Sequence, residues 1–140
     1  MRVHQETITV ETPGRARPFT DITRRVAEIV SRAGVATGVT TVFVQHTSAS
    51  LVIQENADPR VLVDLEAWAE RAAPEDARYE HDDEGPDDMP AHIRSAITKT
   101  SESVPVMAGR LALGTWQALY LWEHRRAPHS RRVVVTVVGA

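Results

Sequence analysis

Apolar and polar residues alternate from Val3 to Glu11, with Thr and other β-branched residues throughout, which predicts a strand. Thr12-Pro13-Gly14 ends it with turn chemistry. The period then lengthens. Ile22, Val26, Ile29, Val30 and Ala33 recur at helical spacing, with Thr20 or Asp21 as cap and Gly34 as stop. Gly38–His46 returns to alternation, with Thr40, Val42, Val44 and His46 on one face; after a bend at Thr47–Ala49, Ser50–Gln54 continues the sheet. Asp58-Pro59 opens a helix to about Ala72, its stripe formed by Val61, Leu62, Leu65, Trp68 and Ala69. An acidic connection, Glu75–Asp88, leads into a short helix begun by Asp88 with Pro90 and carrying Ile93 and Ile97. Strands follow near Val104–Met107, Arg110–Leu113, Thr115–His124 and Arg132–Val138.

The late strands are hairpin-linked. This predicts an α+β fold: a largely antiparallel β-sheet sandwich with a few helices packed on it, one domain spanning 1–140. The run Val133–Val138 is apolar on both faces, so both must be covered. Contact between subunits is one way to do that and a second helical layer is the other; the expectation is a homo-oligomer.

Composition narrows the function. None of the 140 residues is cysteine, which excludes disulfides, thiolate metal sites and cysteine nucleophiles. A net charge of −3 gives no general attraction to nucleic acid. The polar N-terminus does not read as a signal peptide, and no apolar run approaches the about 20 residues of a membrane span. The expectation is a cytoplasmic protein without membrane or nucleic-acid partners.

The segment Gly109–Arg125 (GRLALGTWQALYLWEHR) places Thr115, Gln117 and Glu123 on one face of an otherwise apolar strand, and buried polar groups need partners. His46 ends a strand just before Thr47-Ser48-Ala49-Ser50, where an imidazole serves a pocket as base, anion contact or metal ligand, or else is a hydrogen-bonded core histidine. Thr47 and Ser48 suit either phosphate oxygens or an ordinary turn. Glu55 and Asn56 reach toward a pocket, Asp58 caps a helix, and Asp64 faces solvent. The acidic loop is either a solvated segment or one in which His81 and carboxylates close over a cation or cationic substrate. His92 lies one turn after Asp88, so carboxylate and imidazole face each other at i, i+4. His46, His81 and His92 together offer a three-histidine metal site, though no compact motif such as H-E-x-x-H is present. His4, His124 and His129 carry less signal. His129-Ser130-Arg131-Arg132 is an anion contact or a polar turn, and Trp68, Trp116 and Trp122 read as core or interface.

These residues together resemble the YjbQ family, also called UPF0047 and described as secondary thiamine-phosphate synthases. The matching stretches are GVTTVFVQHTSASLVIQEN at Gly38–Asn56, HDDEGPDDMPAHIRSAI at His81–Ile97, GRLALGTWQALYLWEHR at Gly109–Arg125 and SRRVVVTVVG at Ser130–Gly139. The resemblance implies an α+β homotrimer with pockets near subunit contacts, acting weakly on small phosphorylated metabolites. The implied reaction joins a hydroxymethylpyrimidine diphosphate to a thiazole phosphate and releases pyrophosphate. The resemblance draws His46, Asn56, His81, Asp88, His92, Thr115 and Gln117 into one site. On this reading Thr47, Ser48 and Arg131 hold phosphate oxygens, His46 or His92 assists the leaving group or ligates metal, and the acidic loop binds a divalent ion, Mg²⁺ or Zn²⁺. The alternative is a trimeric binding protein for a metal or small anion, with incidental synthase activity. Relatives often carry Cys where this chain has Trp122, so thiol chemistry is absent at that position.

Overall fold

In the computed structural model, which describes residues 1–140, the N-terminal alternation becomes the edge strand β1 (Arg2–Thr12). There follow β2 (Phe19–Asp21), α1 (Thr23–Ala33), β3 (Gly38–Val44), β4 (Ala49–Glu55), α2 (Pro59–Ala72), α3 (Asp88–Ile97), β5 (Ser101–Met107), β6 (Arg110–Leu111), β7 (Gln117–Glu123) and β8 (His129–Gly139). All strand pairs are antiparallel. They form a five-stranded sheet, β1-β8-β3-β5-β6, and a three-stranded sheet, β2-β7-β4. With three helices this is the expected α+β class, the sheets sharing one core. Val42, Val44, Val133, Val135 and Val137 from the larger sheet meet Leu51, Leu119 and Leu121 from the smaller, and α1 adds Val26, Ile29 and Val30.

Local chemistry explains most boundaries. The Asp58 carboxylate accepts from Arg60 N at 3.0 Å, and Pro59 occupies the first turn of α2, where its missing N–H costs nothing. Gly34 ends α1 at φ 65°, a conformation that favours glycine. Ala108 (φ 49°) and Gly109 (φ 78°) supply the two positive φ angles of a tight β5–β6 hairpin.

Three expectations are corrected. Of the two expected caps, Thr20 lies instead in an unpredicted strand, Phe19–Asp21, which pairs with Tyr120–Trp122, the Phe19 ring stacking on Trp122 at 4.8 Å, while Asp21 Oδ1 accepts from Thr23 N at 2.9 Å at the start of α1. The strand expected over Arg110–Leu113 is only two residues long. Thr115 and Trp116 belong to a turn, closed when the Gln117 side chain accepts from Gly114 N at 2.8 Å, so β7 starts at Gln117. From Ala118 onward β7 is buried on both faces. The outer face of the larger sheet lies open: Val3, Val39 and Phe43 are exposed, and Val134, Thr136 and Val138 are half-buried. No helix is long and apolar enough to cross a membrane.

Candidate functional site

The i, i+4 spacing of Asp88 and His92 works as α3 geometry dictates, with His92 Nε2 lying 3.3 Å from Asp88 Oδ2. The acidic loop folds back so that His81 Nε2 meets the same oxygen at 2.6 Å. Glu84 completes the group, its carboxylate 3.4 Å from His81 Nε2. One donor atom from each of His81, Glu84, Asp88 and His92 lies within 4.8 Å of the other three.

The second nitrogen of His92 fixes the ring's orientation. Nδ1 donates to the Thr47 carbonyl at 2.8 Å, which turns Nε2 toward Asp88. Such an imidazole is prepared to ligate. His81 is pushed up from its ordinary pKa, first by its hydrogen bond to Asp88 and then by the charges of Asp88, Asp83 and Glu84, which outweigh desolvation. Asp88 is nearly buried. Burial drives its carboxyl up, but the hydrogen bond with His81 and the charges of His92 and Arg125 hold it below the usual carboxylate range.

Two imidazoles and two carboxylates form a donor set used by zinc and other late divalent metals. A tetrahedral ion spaces its ligand atoms about 3.4 Å apart. His92 and Asp88 already stand at that distance, and His81 must retreat by less than about 1 Å. His81 also lines a cleft of ≈ 590 Å³ with Arg78, Tyr79, Asp82 and Met89, which opens beside the group.

His46 is not part of this group, which corrects the three-histidine set. Its Nε2 accepts from Arg132 N at 2.9 Å, so the ring is spent on the backbone of β8. Burial and the neighbouring Arg131 guanidinium push its pKa down. The carboxylates of Asp88 and Glu84 take the place assigned to it. Thr47 is exposed beside His92, and its hydroxyl has no protein partner. Ser48 is half-buried, and its carbonyl accepts from Arg131 Nη2 at 3.1 Å.

Arg131 is also corrected as a phosphate contact. Its Nε donates to Glu123 Oε1 at 2.8 Å, its Nη2 pairs with Glu123 Oε2, and both side chains are buried. Asn56, Thr115 and Gln117 do assemble, Asn56 Nδ2 donating to the carbonyls of Thr115 (3.1 Å) and Gln117 (3.4 Å). They sit at the other end of β4 and β7 from Thr47 and His92, about 20 Å along β4 from Ala49 by the rise of six strand residues. Within one chain they are a turn lock, separate from the histidine cluster.

Trp122 is buried, stacked on Phe19, and its indole N–H donates to Glu66 Oε1 at 2.9 Å. The Trp122 bulk is therefore absorbed beneath α2, where Glu66 also accepts from Arg94. His124 is fully buried, its Nε2 2.8 Å from Ser50 Oγ. Sequence reasoning did not single out two partners of the histidine cluster. Glu84 was detectable as His81-x-x-Glu84, a spacing that juxtaposes side chains in a helical turn; Arg125 gave no local signal.

Comparisons with known proteins agree with this architecture. A family model described as "UPF0047 protein YjbQ-like" matches residues 6–140. A UPF0047 protein of Synechocystis sp. is 55% identical over 99% of this chain and 93% of its own length. The UPF0047 protein YjbQ of Escherichia coli O157:H7 is 41% identical over 97% of this chain and 98% of its own. Among solved structures, a YbjQ-like protein of unknown function from Sulfolobus solfataricus superposes with a TM-score of 0.90 at 26% identity, covering 99% of both chains. An uncharacterized yjbq/upf0047 protein from Clostridium acetobutylicum gives 0.82 at 31% identity, over 96% of this chain and 98% of that one.

Proposed function

The chain belongs to the YjbQ-like UPF0047 family, and from that premise we propose that the His81–Asp88–His92 cluster holds a divalent metal and serves a transferase acting on a small phosphorylated metabolite. The observation that carries this reading is the convergence of two imidazole nitrogens on one buried carboxylate oxygen at the mouth of a cleft. The concrete reaction is of thiamine-phosphate synthase type. The bond between the pyrimidine methylene carbon and the diphosphate oxygen breaks, and pyrophosphate leaves with the electron pair. The thiazole nitrogen then donates its lone pair to that carbon.

A bound divalent metal supplies charge neutralisation to the departing diphosphate. The protein supplies the rest. Arg78 on the cleft wall and the Thr47 hydroxyl beside His92 are placed to take phosphate oxygens. Asp82 on the same wall stabilises positive charge on carbon. Thr47 thus keeps its expected role, while Arg131 keeps Glu123.

The test is formation of thiamine phosphate from the two phosphorylated precursors, with Zn²⁺ or Mg²⁺ added separately. Slow turnover that falls at least about tenfold in His92→Ala is expected, as for loss of a metal ligand. No product with either metal, or equal rates in the two proteins, overturns the synthase reading. Tight stoichiometric metal binding without turnover would instead favour a binding protein, the alternative in which synthase activity is incidental.

A homotrimer belongs to the same reading. The open face carrying Val3, Val39 and Phe43 beside half-buried Val134 and Val138 supports subunit contact. Sedimentation equilibrium is expected to give three times the 15.5 kDa chain mass. A mass of one chain at micromolar concentration would contradict it.

A further inference from the structure

Arg125 grips the acidic segment at three points. Its Nε donates to Asp87 Oδ2 at 3.0 Å, its Nη2 to the Glu84 carbonyl at 3.0 Å, and its Nη1 pairs with Asp88 Oδ1 at 3.0 Å. The two oxygens of Asp88 are therefore divided. Oδ1 belongs to the guanidinium, and Oδ2 faces His81 and His92. A carboxylate so held offers a metal one oxygen and cannot become bidentate without breaking from Arg125.

That division bears on which metal fits. Mg²⁺ takes six ligands in near-ideal octahedral geometry, and Ca²⁺ takes six to eight oxygens, often from bidentate carboxylates. Two imidazoles with a single carboxylate oxygen make three ligands of the kind found in catalytic zinc sites. The fourth position falls to Glu84, whose side chain is 60% exposed, or to a substrate oxygen that displaces it. The guanidinium also cancels part of the negative charge through which a hard cation would be attracted.

Resting on the reading of this cluster as a metal site, we infer that Arg125 is a positioning residue that holds Asp88 monodentate. It thereby fits the cluster to a four-coordinate late transition metal of the Zn²⁺ or Co²⁺ kind, against Mg²⁺ and Ca²⁺. Arg125 touches neither metal nor substrate. It acts through Asp88 and through the loop that carries Glu84.

The experiment uses the whole chain and titrates Zn²⁺, Mg²⁺ and Co²⁺ into wild type, Arg125→Ala and Arg125→Lys, with His92→Ala as reference. Wild type is expected to bind Zn²⁺ at least about a hundredfold more tightly than Mg²⁺ and to give the intense visible absorption of four-coordinate Co²⁺. Arg125→Ala is expected to lose about 10–100-fold in Zn²⁺ affinity, to narrow the Zn²⁺/Mg²⁺ ratio and to weaken the Co²⁺ band as Asp88 turns bidentate. Arg125→Lys keeps the charge without the three-point grip and is expected to fall between the two; it decides the matter if the alanine variant does not fold. A wild-type Co²⁺ spectrum and metal order in the folded variants would overturn the inference while leaving the metal site standing. Equal Zn²⁺ binding by wild type and His92→Ala would overturn the metal reading itself, and this inference with it.

Discussion

Asp88→Ala is expected to abolish tight Zn²⁺ binding and to remove activity with it. The substitution deletes the one oxygen shared by His81 and His92 and leaves two imidazoles 5.5 Å apart, centroid to centroid, with nothing to draw them together. Losing an outer partner of a metal ligand costs about 10–100-fold in affinity, and losing the ligand itself costs more. The loss is therefore expected to exceed about a hundredfold, or about 2.7 kcal/mol. Asp88→Asn keeps the shape but offers a weaker donor, so an intermediate loss is expected. Asp82→Ala, in the same loop but outside the cluster, is the control and should bind as wild type. Calorimetric titration of the variants checks all three expectations.

The second large effect is on stability. Glu123 is fully buried at the end of β7 and collects four donors: Arg131 Nε and Nη2, Thr12 Oγ1 at 2.5 Å and Arg125 N at 3.0 Å. Glu123→Ala strands a buried guanidinium. Breaking such a pair costs about 3–5 kcal/mol, a large part of the roughly 5–15 kcal/mol that holds a domain together. Replacing both partners, as in Glu123→Met with Arg131→Met, should cost less than the single change, because no charge is left buried alone. Denaturant midpoints of the three proteins test this.

The same groups set the response to acid. Burial pulls the Glu123 carboxyl up, but hydrogen bonds from Arg131 and Thr12 bring it below its ordinary 4.5. Burial, with the charges of Arg94, Arg131 and Arg15, holds His124 well below 6.5. In both cases the unfolded chain takes up a proton that the folded chain refuses, so stability drains as pH falls. The loss begins near 6.5 through His124 and steepens below about 4.5 through Glu123. His81, whose pKa is raised, works the other way: its contribution is present below 6.5 and is lost as pH rises through the higher folded value. Midpoints measured at pH 7, 5.5 and 4 should fall in that order, and the last step should be shallower in Glu123→Ala.

The parts of this picture that were legible in the sequence are those set by local rules. Alternation located β1, the unbroken β-branched run Val133–Val138 located β8, Asp58-Pro59 marked the start of α2, and the four-residue spacing of Asp88 and His92 placed both on one side of α3. What failed depended on contacts distant in sequence. Nothing near His46 reveals that Arg132 N, 86 residues on, occupies its Nε2. Nothing near Arg131 shows that its guanidinium is committed to Glu123 rather than to a ligand. Grouping Asn56, Thr115 and Gln117 with the histidines ignored a length that the sequence does contain: Ala49–Glu55 is extended, so its ends cannot share a pocket within one chain. Arg125 lies two residues past β7 and carries no pattern; its meaning comes from the loop folded over it.

The most direct test of the central claim is anomalous X-ray diffraction at the zinc edge from crystals grown with stoichiometric Zn²⁺. The account predicts one strong peak per chain, about 2.0–2.2 Å from His81 Nε2, His92 Nε2 and Asp88 Oδ2. A zinc-free cluster, or a peak lodged instead on a surface pair such as His4 and Glu6, would contradict it.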